Sequence, residues 1–276
     1  MKGLSVRGSQ VTVARDSPAE MGVLGRLAAL GPFFAVGSHP PGAPPASPWR
    51  PFSELTGPAE AMRDRLASVS AAMAAQAARA AAAAPSGSGS RAADAGSRPA
   101  DEVDPRVAAS ALHLSLAARL VSPALGSAVL GHPLDMRPGG LWWQNEVGGP
   151  VPLSVPWPAP VPEEWGQRLI DEMIAPFTAA VAGLVRVSDR VLWGNVASAI
   201  NAAAAQAGRQ RPDLAGDAWR IAAELFGSPN LSHEWRPPGW GFRRTSCCLF
   251  YRIVPGSPVA VCGDCVLREL PPARRS

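Results

Sequence analysis

Cys247-Cys248-Leu249-Phe250-Tyr251-Arg252-Ile253-Val254-Pro255-Gly256-Ser257-Pro258-Val259-Ala260-Val261-Cys262-Gly263-Asp264-Cys265 contains all four cysteines of this 276-residue chain. Four clustered sulfurs are a complete ligand set for one metal centre. The N-terminus, Met1 to Arg7, has no apolar run or small-residue cleavage site after its early cation, so no secretory leader is expected and the cytosol is the expected compartment. Thiols are kept reduced there, and clustered cysteines then serve metal or redox chemistry more often than structural disulfides.

Spacing bears on which metal. Cys262-Gly263-Asp264-Cys265 fits the knuckle of a zinc site, with Gly263 free to turn the backbone. The vicinal Cys247-Cys248 does not, because neighbouring side chains of extended chain point to opposite faces. Such a pair serves one centre only if the backbone bends or the centre is larger than one ion. A [2Fe-2S] cluster is the easier target, with tetrahedral zinc the alternative. Pro255-Gly256-Ser257-Pro258 is the turn signal that folds the intervening chain back on itself.

The residues around the cysteines carry a resemblance. Phe242-Arg243-Arg244-Thr245-Ser246-Cys247-Cys248-Leu249-Phe250-Tyr251-Arg252, followed by Cys262-Gly263-Asp264-Cys265-Val266-Leu267, resembles the C-terminal segment of FhuF-like ferric-siderophore reductases. Ala118 to Leu125 and Val191 to Ala199 are similar to upstream segments of that family, in the same order. The thirteen residues between the cysteine pairs make a longer interval than the family pattern has, and added loop length costs little closure entropy. The resemblance implies that Cys247, Cys248, Cys262 and Cys265 hold a [2Fe-2S] cluster. It further implies a ferric-siderophore reductase that passes one electron to Fe(III), so that Fe(II) is released. No protein acid or nucleophile is then required, and the fold supplies binding and orientation.

Working outward, the chain is expected to be α+β, predominantly helical, with small strand elements and the cysteine-rich segment at its end. Three regions are expected: 1–104 with proline-rich and Ala/Gly/Ser-rich stretches, a helical region 105–230, and the cluster segment 231–276. Leu112, Leu116 and Leu120 predict a helix opened by Asp104-Pro105 and closed by Pro123. Trp165, Leu169, Met173, Phe177 and Val181 predict a second from about Pro162, kinked at Pro176. A third is expected from a Ser188 cap to about Gly208, and a fourth from Pro212 to Phe226. Leu141 to Gln144 and Val151 to Val155 predict a strand pair, the second confined to an edge by Pro152. Ala71 to Ala84 reads as a surface helix too weakly apolar to span a bilayer, followed by a solvated Gly/Ser-rich linker from Pro85 to Pro99.

Charge is concentrated at the end of the chain. From Leu231 to Ser276, seven arginines (Arg236, Arg243, Arg244, Arg252, Arg268, Arg274 and Arg275) face Glu234, Asp264 and Glu269, which leaves 7 − 3 = +4, equal to the formal charge of the whole chain. Two ferric ions, two sulfides and four thiolates sum to about −2, and reduction adds one more negative charge, so nearby cations stabilise such a centre and raise its potential. Arg243, Arg244 and Arg252 are the candidates for cluster tuning or for meeting an anionic ligand, with solvated surface charge as the plain alternative. Nucleic-acid binding has no supporting basic-aromatic stripe. The four scattered histidines read as structural or exposed, and Glu163-Glu164 and Asp171-Glu172 as solvent-facing pairs. With no dinucleotide or phosphate-loop fingerprint, the reducing equivalents are expected from an electron-donor protein or a small reductant. Nine tryptophans accompany one tyrosine; buried packing is the default reading of Trp142, Trp143 and Trp193, and a platform for a siderophore's apolar parts the sharper one.

Overall fold

A computed structural model describes residues 18–82, 103–234, 239, 241–253 and 262–267. Its framework is a pair of long helices, α3 (Pro105–Val129) and α6 (Asp189–Gln210), packed against each other. The fold is α+β and mainly helical, as the sequence pattern implies.

α3 begins where expected: Pro105 occupies the first helical position and the Asp104 carboxylate accepts a hydrogen bond from the Arg106 N–H at 2.9 Å. It does not stop at Pro123. A proline inside a helix forfeits one backbone hydrogen bond and costs about 3 kcal/mol, but Ala124, Leu125 and Val129 beyond it are buried in the core and offset that cost. The helix ends instead at Val129, and Gly131 just beyond the Leu130 cap has a φ of 77° that suits a residue without Cβ. By length and composition α3 could cross a membrane, but in this fold it is the central helix, and 78% of its most apolar window is buried.

The second predicted helix is three joined pieces: α4 (Trp165–Arg168), a π-helical segment over Leu169–Ile174, and α5 (Ala175–Leu184). The Ala175 N–H donates to Ile170 O, five residues back, immediately before Pro176. Widening the turn there moves the Glu172 carbonyl off the proline ring, so the predicted kink is realised as a π-bulge. Ser188 occupies the cap position of α6 in extended conformation, without a side-chain cap bond. α6 runs two residues past Gly208, which packs against Ala215; an added Cβ would lie 3.2 Å from the Ala215 Cβ. After a 3-10 turn at Pro212–Leu214, α7 (Ala215–Phe226) completes the fourth helix.

A small sheet caps one side, in the order β1 (Gly37–His39), β4 (Leu153–Pro156), β3 (Trp142–Trp143), β2 (Arg50–Pro51). β1 and β4 are parallel and the other pairs antiparallel. β4 is therefore an interior strand, not the edge expected from Pro152. That proline lies just outside the strand, and its carbonyl still accepts from Gln144 N at 3.2 Å, so its missing N–H removes no ladder bond. α1 (Pro18–Ala28) and α2 (Ala59–Ala82) complete the fold, and side chains between Leu24 and Val69 share one hydrophobic core with those between Ala109 and Phe242. α2 contains the alanine-rich surface helix predicted up to Ala82; the predicted linker falls outside the described residues.

Candidate metal centre

The first turns of α3 and one face of α6 form the floor on which the cysteine segment lies. Along α6, Arg190 O accepts from the Ser246 hydroxyl at 2.7 Å, Val191 O accepts from Arg244 Nη2 at 3.0 Å, and Ser198 Oγ donates to the Asp264 carboxylate. Gly194 lies between them, where a Cβ would come within 2.4 Å of Ser246 Oγ. Residues 190, 191, 194, 195 and 198 recur at three and four, so they share one helical face. Asn195 Nδ2 donates to Ser110 O and Oγ at 3.1 and 3.2 Å, and the Ser110 hydroxyl in turn donates to Cys248 O at 2.9 Å. Both long helices thus hold the vicinal cysteines.

The two cysteine pairs are joined directly. Arg244 N donates to Asp264 O at 3.1 Å and Arg243 Nη1 to Cys265 O at 3.3 Å, so the segment entering the first pair is bonded to the turn carrying the second. The Cys248 thiol is hydrogen-bonded to the thiols of both Cys247 and Cys262. Contact with Cys248 and burial push the Cys247 thiol well above its ordinary range. At Cys248 the bond with Cys247 pulls downward, but the bond with Cys262 and burial outweigh it, and its pKa is pushed up to about 11. A metal takes cysteine as thiolate, so ligation here releases the thiol protons.

Backbone geometry fits the sulfurs as ligands. Leu249, directly after the vicinal pair, has φ 70°, a left-handed conformation rare for a residue with a Cβ, and it supplies the bend that the pair requires. Leu249 N donates to Cys247 Sγ and Leu267 N to Cys265 Sγ, each at 3.3 Å, so both halves repeat the same N–H···S contact two residues on. Hydrogen bonds to sulfur are among the devices that set iron-sulfur potentials. Cys248 and Cys265 are buried, Cys247 and Cys262 half-buried, and all four are free thiols. Among the described residues no three Cys, His, Asp or Glu side chains converge to enclose a single ion. The donor set, the N–H···S contacts and the bend at Leu249 all fit a [2Fe-2S] cluster, which spreads four sulfurs over two irons.

Residues 244–267 match the FhuF 2Fe-2S C-terminal domain. No curated protein matches the chain. The FhuF-type match places an iron-sulfur domain on the four cysteines and points to a function of the ferric-siderophore-reductase type.

The three arginines around the FhuF-type segment occupy different environments. Arg243 is exposed. Arg252 is exposed, 3.5 Å from Asp104 and over the Tyr251 ring at 5.7 Å. Arg244 is 1% exposed. Trp143 is fully buried in the sheet, with Arg50 over its ring at 5.3 Å, while Trp142 and Trp193 are half-buried. His39 and His113 are buried, His132 and His233 exposed. Ser110, Gly194, Asn195, Ser198 and the Asp264 carboxylate are site residues that sequence reasoning did not single out. The available signal was a small-polar stripe at helical spacing within the apolar run of α6.

Proposed function

We propose that the chain is a ferric-siderophore reductase of a thiol-reducing compartment. The observation that carries this reading is the FhuF-type match falling on the segment that holds all four free thiols, two of them half-buried. When bound, a [2Fe-2S] cluster supplies electrons one at a time. Cys247, Cys248, Cys262 and Cys265 hold it, the Leu249 and Leu267 N–H groups fix the orientation of two of those sulfurs, and α6 clamps the turn that carries the other pair. Half-buried Cys247 and Cys262, with Gly263 and Val266 exposed beside them, leave the electron a short path to a docked ligand. The substrate's Fe(III) gains one electron, and its hard oxygen ligands, suited to ferric iron, hold the resulting Fe(II) far less tightly.

A bulky ferric chelate is expected to dock on this outer face. A surface cavity of about 650 Å³ is lined by Pro41, Arg137, Gly140, Pro156 and Arg168, past the far end of α3. Ser110, which holds Cys248, and Val129 at that far end are 129 − 110 = 19 residues apart, or roughly 29 Å at ~1.5 Å per residue. The cavity is therefore poorly placed for direct reduction. Electrons are supplied by a donor protein or small reductant.

Anaerobic purification with visible spectra and iron, sulfide and zinc analysis tests the assignment. Iron and sulfide in equal amounts are expected, and the reduced protein should reoxidise on mixing with a ferric siderophore while a ferrous chelator captures the product. Colourless protein containing zinc and no sulfide would overturn it.

A further inference from the structure

Arg244 is the one member of the FhuF-type segment whose charged side chain points into the core, and the fold makes room for it. A Cβ on Gly194 would lie 2.8 Å from its Nη2 and 3.4 Å from its Nε, so only glycine on α6 leaves the slot open. Nη2 donates to Val191 O at 3.0 Å, but Nε and Nη1 are buried and have no partner among the described residues. Guanidinium does not lose its proton inside proteins, so these are donors for which the described residues provide no direct acceptor.

Arg119 shows how this fold treats a buried arginine that serves structure alone. Its Nε, Nη1 and Nη2 donate to the carbonyls of Val151, Phe33 and Ala35. Arg244 lacks that closure, and its backbone ties the two cysteine pairs together through Asp264 O. A buried cation with spare donors at the join of an anionic ligand set is the arrangement that an anionic cluster completes.

We infer that Arg244 is the built-in counter-ion of the cysteine-held centre, donating to its sulfurs and raising its reduction potential, whereas Arg243, committed to the Cys265 carbonyl, and Arg252, beside Asp104, act on it only through solvent-screened charge. This rests on the reading that the four cysteines hold a [2Fe-2S] cluster. Removing a cation so placed disfavours the added electron, so the reduced state becomes harder to reach.

Redox titration of the purified holoprotein, followed in the visible spectrum, tests this. Arg244→Gln should lose at least tenfold in its one-electron reduction equilibrium, a shift of ~59 mV to more negative potential. Arg244→Lys should recover part of it, and Arg243→Gln and Arg252→Gln should each shift by less than half as much. If Arg244→Gln takes up no cluster but keeps its unfolding temperature, restored uptake in Arg244→Lys supports the inference. An unchanged potential in a brown Arg244→Gln overturns it. So does loss of fold in both Arg244 variants, which would mean the donors only bridge through water to the unpartnered Asn195 Oδ1 and His113 Nδ1. Colourless wild-type protein would instead overturn the cluster assignment beneath it.

Discussion

The Ser198 hydroxyl donates to the Asp264 carboxylate, which fastens the Cys262-Gly263-Asp264-Cys265 turn to the middle of α6. Ser198 is 7% exposed and Asp264 half-buried, so water competes only in part for this contact. A hydrogen bond to an ionised acceptor is worth about 1.5–3 kcal/mol. Ser198→Ala should make the closed turn roughly tenfold less favoured. The cluster of that variant should bleach faster in the presence of an iron chelator, with little change in unfolding temperature. Equal bleaching rates would show that the turn is held by other means.

Gly194 and Gly183 make a matched pair of tests. A Cβ at Gly194 meets Ser246 Oγ and the Arg244 guanidinium, both already committed to α6 carbonyls, whereas a Cβ at exposed Gly183 in α5 meets nothing within 4 Å. Gly194→Ala should cost about 1–3 kcal/mol of stability and lower cluster occupancy. Gly183→Ala should be neutral or stabilise by about 0.4–1 kcal/mol. Thermal unfolding with iron analysis of the two variants checks both, and normal occupancy in Gly194→Ala would detach α6 from the site.

These contacts mark where the sequence was readable. The leucines at 112, 116 and 120 announce α3 because burial repeats at helical spacing, and the four cysteines announce the centre because their chemistry is local. The helix end past Pro123 was not legible, since it depends on the core that Leu125 and Val129 join. Nor were β1 and β2: Gly37–His39 and Arg50–Pro51 have little strand propensity and are strands only through pairing with β4 and β3. At the site, adjacent Arg243 and Arg244 are indistinguishable in sequence, and only the slot at Gly194, fifty residues earlier, separates the exposed one from the buried one.

Arg119 on α3 joins parts of the fold. Its guanidinium is 2% exposed and ties α3 to the carbonyls of Phe33, Ala35 and Val151, with Nε and Nη2 at 2.6 and 2.8 Å from Val151 O and Ala35 O. Burial lowers its pKa to about 10, so it remains charged at neutral pH. Lysine has a single charged nitrogen and cannot reach three carbonyls from a planar fork. Each carbonyl left unpaired costs about 1–3 kcal/mol, so Arg119→Lys should lose at least ~2 kcal/mol in denaturant unfolding. A smaller loss would mean that water replaces the missing donors.

His113 provides a pH-dependent contribution to stability. Its imidazole is fully buried, stacked on Phe177 with centroids 4.7 Å apart, and Nε2 is 3.0 Å from Thr178 Oγ1. The Thr178 hydroxyl already donates to Ile174 O at 2.7 Å, so Nε2–H is the donor to it and Nδ1 carries a bare lone pair with no partner among the described residues. Burial first, and the Arg244 charge second, lower the His113 pKa from 6.5 to about 3. Between those values the unfolded chain binds a proton that the folded protein refuses. This contribution is therefore fully present above pH 6.5 and is lost as pH falls toward 3, at up to about 1.4 kcal/mol per pH unit. His113→Phe cannot titrate, so the stability difference between wild type and variant should move in the variant's favour as pH is lowered from 7 to 4. Parallel curves of unfolding temperature against pH would show that His113 takes up its proton without leaving the core.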